Sequence, residues 1–322
     1  MKKIGIFCGG FSSEFDISIK SATTILANIP DGFDPFLIVV RPGIWTVQYK
    51  GTESIMDLND VSFTYLGQKQ KLDLGLVYIH GNPGENGKIQ AFLEMKKIPC
   101  LNSGSLASEL SFDKWFCNQF LRGFGVPVAK SILLYTPNDC TTQYMVVNLG
   151  LPIFVKPADS GSSFGISKVS KEEDLPGALE KAFIEGETVV LESFLNGTEV
   201  TCGAYRNKHA IQALPITEIV SEGDFFDYDA KYLGKSQEIT PARIPDVMRD
   251  KIQEQTKMIY QLLRLKSIAR IDYMIVDETP YVIEVNTTPG FSSASIVPQM
   301  IQVKGQTLKD FWKEIFDAEI DQ

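Results

Sequence analysis

The stretch "ARIDYMIVDETPYVIEVNTTPG", residues 269–290, decides how this chain is read. Two apolar runs, Ala269–Val276 and Pro280–Asn286, flank the polar segment Asp277–Thr279, the pattern of an antiparallel hairpin. Arg270 and Asp272 lie two positions apart and so share one face of their strand. Glu284 and Asn286 repeat that spacing on the partner run. Four polar side chains thus converge on one face of a hairpin otherwise rich in Ile, Val, Met and Tyr. Asp, Glu and Asn offer hard oxygen ligands, which suit Mg²⁺ or Mn²⁺ carried in with nucleotide phosphates. Cross-strand salt bridges account for the same charges, although Asn286 adds nothing to an ion pair. The Thr287–Gly290 segment is either a simple turn or a place where the Gly290 N–H meets a reacting group.

Upstream, "FVKPADSGSSFG" (154–165) runs three apolar residues into Lys156 and then a loop of Gly and Ser. Such a loop lets backbone N–H groups approach an anion, with a lysine adding fixed positive charge. An ordinary hairpin turn between Phe154–Lys156 and Ile166–Val169 reads equally well. The pattern is not a Walker A loop, because no G-x-x-x-x-G-K-[ST] occurs.

The first hundred residues have a different texture. Strand-like Ile4–Cys8, Phe36–Val40 and Leu74–Ile79 alternate with helix-like Ile17–Ile29 and Ile89–Met95, which is βαβ logic and predicts a parallel sheet. Loops at Gly9–Glu14 and His80–Gly87 follow strand ends, where such sheets bind ligands. Further on, we expect a helix over Ser111–Phe120 capped by Ser111, and a strand at Thr188–Glu192. Long β-runs are expected at Glu199–Tyr205 and His209–Ile219, and an amphipathic helix at Asp246–Leu265. Texture changes near residues 101 and 192 divide the chain into 1–101, 102–191 and 192–322.

Composition excludes several classes. A net charge of −9 argues against a nucleic-acid backbone as partner. The five cysteines are scattered, with no C-x-x-C, so neither a zinc site nor a disulfide framework is indicated. No long apolar run or secretory leader is present, which predicts a cytoplasmic protein that does not enter a membrane. Residues 9–14 read G-G-F-S-S-E and fail the G-x-G-x-x-G test of a dinucleotide-dependent dehydrogenase.

Eight stretches in order give the chain its affinity: "GGFSSEFDIS" (9–18), "HGNPGENGKIQ" (80–90), "DKWFCNQFL" (113–121), "VKPADSGSSFGISKV" (155–169), "EVTCG" (199–203), "FFDYDAKY" (225–232), "RIDY" (270–273) and "EVNTTPGFSSASIVP" (284–298). Over essentially its whole length the chain resembles the D-alanine–D-alanine ligase family of the ATP-grasp superfamily. The resemblance implies an α/β fold of three domains, a parallel-sheet N-terminal domain and two α+β domains sandwiching ATP. It implies that Lys114, Lys156 and Lys231 contact ATP, that Glu192, Ser193, Phe194 and Leu195 form the adenine hinge, and that Glu199 holds the ribose. Asp272, Glu284 and Asn286 are implied ligands of two Mg²⁺ or Mn²⁺ ions. Glu14 is implied to receive the ammonium of the first D-alanine, in a hydrogen-bond chain with Ser162 and Tyr232. Arg270 and the Gly290 N–H would face the oxyanion, and Ser295 the carboxylate of the second D-alanine. His80 is read either as a neighbour of the first substrate or as a structural hydrogen-bonder. The family also implies a homodimer acting on ATP and two D-alanines; D-lactate and D-serine are the rival acceptors. Asn86 departs from the Asp common in the family, and none of the departures removes an expected site residue.

Overall fold

The computed structural model describes residues 1–159, 165–221 and 236–320; Ser162, Lys231 and Tyr232 lie outside the described residues. Ile4 through Gly10 are buried without alternation, as expected of a strand covered on both faces. Their strand, Lys2–Gly9, pairs in parallel with Phe33–Arg41 on one side and Leu74–Val77 on the other. The helices Phe15–Leu26 and Lys88–Met95 complete the expected βαβ logic. The sheet is not parallel throughout, however. Ile44–Tyr49 and Thr52–Ile55 extend one edge antiparallel. Lys50 and Gly51 join them with φ of 47° and 77°, a two-residue hairpin turn that needs no crossover helix.

The middle sheet is antiparallel, in the order Ser167–Val169, Ile153–Pro157, Val189–Ser193, Ser131–Leu134. Its first two strands flank the Gly/Ser segment, so the hairpin expected from 154–169 forms. The third sheet, also antiparallel, has Thr198–Arg206 at its centre, between Thr217–Ser221 and Ile268–Val276. Ser236–Ile239 and Thr279–Asn286 lie outside those two. The run expected over His209–Ile219 splits into Ile211–Ala213 and Thr217–Ser221. Pro215, between the two pieces, has no N–H to give to a ladder. The decisive hairpin turns through Asp277 and Glu278 at φ of 45° and 58°, one residue tighter than its sequence reads.

Ser111 does not cap a helix. It sits inside the helix Ser105–Phe112, and Asp113 instead caps Lys114–Gly123, its carboxylate accepting from the Phe116 N–H at 2.8 Å. A continuous core joins the outer sheets: Ile4, Ile6 and Tyr78 of the first meet Tyr205 and Ile268 of the third across the C-terminal helix Leu308–Glu319. Trp312 of that helix is fully buried against Tyr78 and Phe291. This core fixes the loop following the decisive hairpin against the ends of the N-terminal strands.

Candidate active site

The register of the hairpin pairs Asp272 with Glu284 and Arg270 with Asn286, so the four polar groups do share one face. Arg270 forks onto Asp272 of its own strand, Nε to Oδ1 at 2.8 Å and Nη2 to Oδ2 at 2.7 Å. Thr201, opposite Asp272 on the next strand, donates its hydroxyl to Oδ1 at 2.5 Å. Asn286 donates to Asp272 at 3.2 Å and to Glu284 at 3.4 Å. Two carboxylates and the Asn286 amide are thereby gathered on one face. Among the described residues no group of three His, Cys, Asp or Glu gathers into a metal site.

Two cavities open on this face. The smaller, about 120 Å³, is walled by Lys156, Glu192, Ser193, Leu195, Glu199 and Asp272. Lys156 reaches across its strand pair to Glu192 at 2.7 Å, with both side chains almost wholly buried. Asn118 adds an N–H to the same carboxylate at 3.3 Å. Phe194 does not wall the cavity; its ring packs on Phe154, with Lys168 over its face at 4.4 Å. Apolar Met274 and Val282 complete the slot.

The larger cavity, about 380 Å³, is walled by Glu14, His80, Arg270, Asn286, Gly290 and Ser295 among others. Lys114, Ile166 and Glu284 line both cavities, so the two are continuous. Glu14 is buried immediately before the helix Phe15–Leu26. Ser12 ties its loop to the end of the neighbouring strand, accepting from the Glu14 N–H at 3.3 Å and donating to the His80 carbonyl at 2.8 Å. His80 is buried beside Glu14, and burial pushes its pKa down; the Glu14 charge opposes this and Arg270 adds to it. A neutral imidazole results, with Nε2 3.2 Å from the Ser21 hydroxyl.

The glycine loop after the hairpin is tied to the N-terminal sheet. Tyr78 donates to the Pro289 carbonyl at 3.0 Å, and the Phe291 N–H donates to Ser21 at 3.2 Å. A Cβ at Gly290 would stand 3.0 Å from the Ser295 hydroxyl, so a larger residue would crowd that group. Ser295 precedes the helix Ile296–Val303, and its hydroxyl lies 2.8 Å from that of Ser292. A helix N-terminus beside two hydroxyls suits a carboxylate.

Two wall residues, Glu85 and Glu238, and one partner of Asp272, Thr201, escaped the sequence reading. Glu85 accepts the Gly81 N–H at 2.8 Å, and burial, with the Glu14 charge adding, pushes its carboxyl up to about 8. Its position inside "HGNPGENG" was the available signal. Thr201 lies two positions after Glu199 in "EVTCG", which was its signal, whereas Glu238 had none, because only the sheet register brings it to this face.

Comparison with known proteins identifies the family. The model for the D-ala D-ala ligase N-terminus matches residues 3–103, and that for its C-terminus residues 120–317. A D-alanine–D-alanine ligase of Azobacteroides pseudotrichonymphae is 44% identical over 99% of this chain and 100% of its own length. The D-alanyl-alanine synthetase A of Vibrio cholerae superposes with a TM-score of 0.88 at 28% identity, covering 100% of this chain and 99% of its own. The VanG D-Ala:D-Ser ligase of Enterococcus faecalis gives 0.87 at 29%, with 99% of each chain covered. With family models spanning most of its length and a full-length relative at 44% identity, the chain belongs to the D-alanine–D-alanine ligase family.

Proposed function

We propose that this chain joins two D-alanines into D-alanyl-D-alanine, converting ATP to ADP and phosphate, to supply peptidoglycan precursors. One observation carries the site assignment: a slot with a buried lysine and an apolar floor opens into a polar cleft at Lys114 and Glu284. ATP lies in the slot, its base against Met274 and the 192–195 segment, its ribose at Glu199 and its phosphates toward Lys114. Glu14 receives the ammonium of the first D-alanine and aims its carboxylate at the γ-phosphorus. That oxygen attacks, the bond to ADP breaks, and an acyl phosphate forms. The second D-alanine lies with its carboxylate at Ser295 and the start of the helix Ile296–Val303. After losing a proton, its amine attacks the acyl carbon; the tetrahedral intermediate then expels phosphate. Arg270, oriented by its fork on Asp272, and the Gly290 N–H face the oxyanion as preorganised donors.

Asp272, Glu284 and Asn286 fit Mg²⁺ or Mn²⁺, since they present hard oxygens where the two cavities meet. Two such ions, when bound, neutralise charge on the triphosphate. Ser162, Lys231 and Tyr232 keep the roles the family implies. Domains fall at 1–101, 102–191 and 192–322, and the enzyme acts as a cytoplasmic homodimer. Among the described residues no helix is long and apolar enough to cross a membrane. A phosphate-release assay with ATP, Mg²⁺ and a panel of D-alanine, D-serine and D-lactate tests the activity. We expect fastest release with D-alanine alone and dipeptide as product. Phosphate release that ignores D-amino acids would overturn the proposal.

A further inference from the structure

The cleft has four carboxylates in its wall: Glu14, Glu85, Glu238 and Glu284. The ligase reading above, on which this inference rests, gives work to Glu14 and Glu284. Glu85 carries the Gly81 N–H and holds its proton up to about pH 8. Glu238 remains. It lies on the strand Ser236–Ile239, paired with Ile219, which pairs with Glu199, which in turn pairs with Met274. Directly paired residues share a face and strand residues two apart share a face. Glu238 therefore stands on the same side of the sheet as Glu199, Asp272 and Arg270. Of its two oxygens, Oε2 accepts from Gln299 Nε2 at 2.8 Å. The same Gln299 nitrogen donates to the Ala294 carbonyl at 3.2 Å, which ties Glu238 to the segment bearing Ser292 and Ser295. Oε1 accepts no hydrogen bond among the described residues. The nearby guanidinium of Arg270 forks onto Asp272 rather than onto Glu238.

A half-buried carboxylate in a cleft, oriented by an amide and lacking an ion-pair partner among the described residues, asks for a cation from outside. Burial accordingly holds its carboxyl above the usual range, against the opposing effects of Gln299 and Arg270. The reaction brings two ammonium groups into the cleft, and Glu14 meets only the first. We infer that Glu238 receives the ammonium of the acceptor amino acid, positioned by Gln299, and selects amino acids over hydroxy acids at that subsite. A hydroxy acid brings no such charge, so binding it would leave the carboxylate desolvated and unpaired.

Glu238→Gln keeps the shape and removes the charge, and steady-state rates fitted to a two-site law separate donor and acceptor KM. We expect the acceptor KM for D-alanine to rise at least tenfold while the donor KM changes less than twofold. The ratio of D-alanyl-D-alanine to D-alanyl-D-lactate made from mixed acceptors should fall by a similar factor. Glu238→Asp should recover part of the loss, and Gln299→Leu should shift the acceptor KM the same way by less. An acceptor KM unchanged within twofold overturns the inference. So does an equal rise in both KM values, which marks a damaged cleft. A wild-type enzyme that forms no dipeptide at all overturns the ligase reading first, and the inference with it.

Discussion

Removing the carboxylate of Glu192 isolates a buried ammonium. Lys156 and Glu192 are each 6% exposed and lie 2.7 Å apart. At an effective dielectric of about 20 and roughly 4 Å between charge centres, their attraction is about 4 kcal/mol. Desolvating each ion costs several kcal/mol, so the intact pair adds little net stability. Breaking it is different. Glu192→Gln leaves Lys156 charged, enclosed and without its counter-ion, which costs about 3–5 kcal/mol. Among the described residues, Lys156→Met strands the carboxylate with only the Asn118 N–H at 3.3 Å and should cost a similar amount. The double variant carries neither charge and should fall within about 2 kcal/mol of the parent. Urea midpoints multiplied by a common m-value give the three differences. ATP should then separate structural from ligand-binding roles: at about 100 times Kd it stabilises the parent by roughly 2.7 kcal/mol. Variants lacking Lys156 should show less of this. A loss below about 1 kcal/mol in Glu192→Gln, or a double variant as damaged as the two singles summed, would refute the buried-pair reasoning.

Three other outcomes follow from particular contacts. Glu284→Gln should lower kcat by about 10³-fold, roughly 4 kcal/mol of transition-state stabilisation, with an unchanged unfolding midpoint; near-normal Mg²⁺-dependent turnover would remove Glu284 from the site. Glu85 holds its proton in the fold up to about pH 8, well above an ordinary carboxylate, so its contribution to stability is present at low pH and fades as pH rises toward 8. The Tm of Glu85→Gln relative to the parent should therefore climb from pH 5 to pH 8.5, and a flat difference would show that Glu85 titrates normally. A methyl at Gly197 would run into the Ile275 carbonyl on the neighbouring strand, so Gly197→Ala should lose more than about 2 kcal/mol; a neutral substitution would mean the strands separate there at little cost.

The residues of the decisive hairpin were legible because period-two spacing alone places side chains on a face. The identity of their partners was not. Arg270 could bind across to Glu284 or along its own strand to Asp272, and the choice belongs to rotamers and to Thr201 on a third strand. Apolar runs such as Lys2–Gly9 and Leu74–Val77 read clearly because burial on both faces demands them. The four strands between Ile44 and Lys71 were silent. Segments such as Thr52–Ile55 and Gln68–Lys71 are polar, half-exposed and short, and their turns use Lys50-Gly51 and Leu66-Gly67 rather than Asn-Gly. Ser111 misled because Ser before an acidic residue imitates a cap, while Asp113 two positions later makes the bond. Glu238 had no motif because its place is set by three successive strand registers.

The central claim is that a D-alanine carboxylate attacks the γ-phosphorus and that its oxygen leaves with phosphate. D-Alanine labelled with ¹⁸O in both carboxylate oxygens, incubated with ATP, Mg²⁺ and the enzyme, tests this directly by mass spectrometry of the products. The account predicts one ¹⁸O in each inorganic phosphate released, unlabelled ADP, and dipeptide whose new amide keeps a single labelled oxygen. Unlabelled phosphate, or label in AMP with release of pyrophosphate, would contradict it.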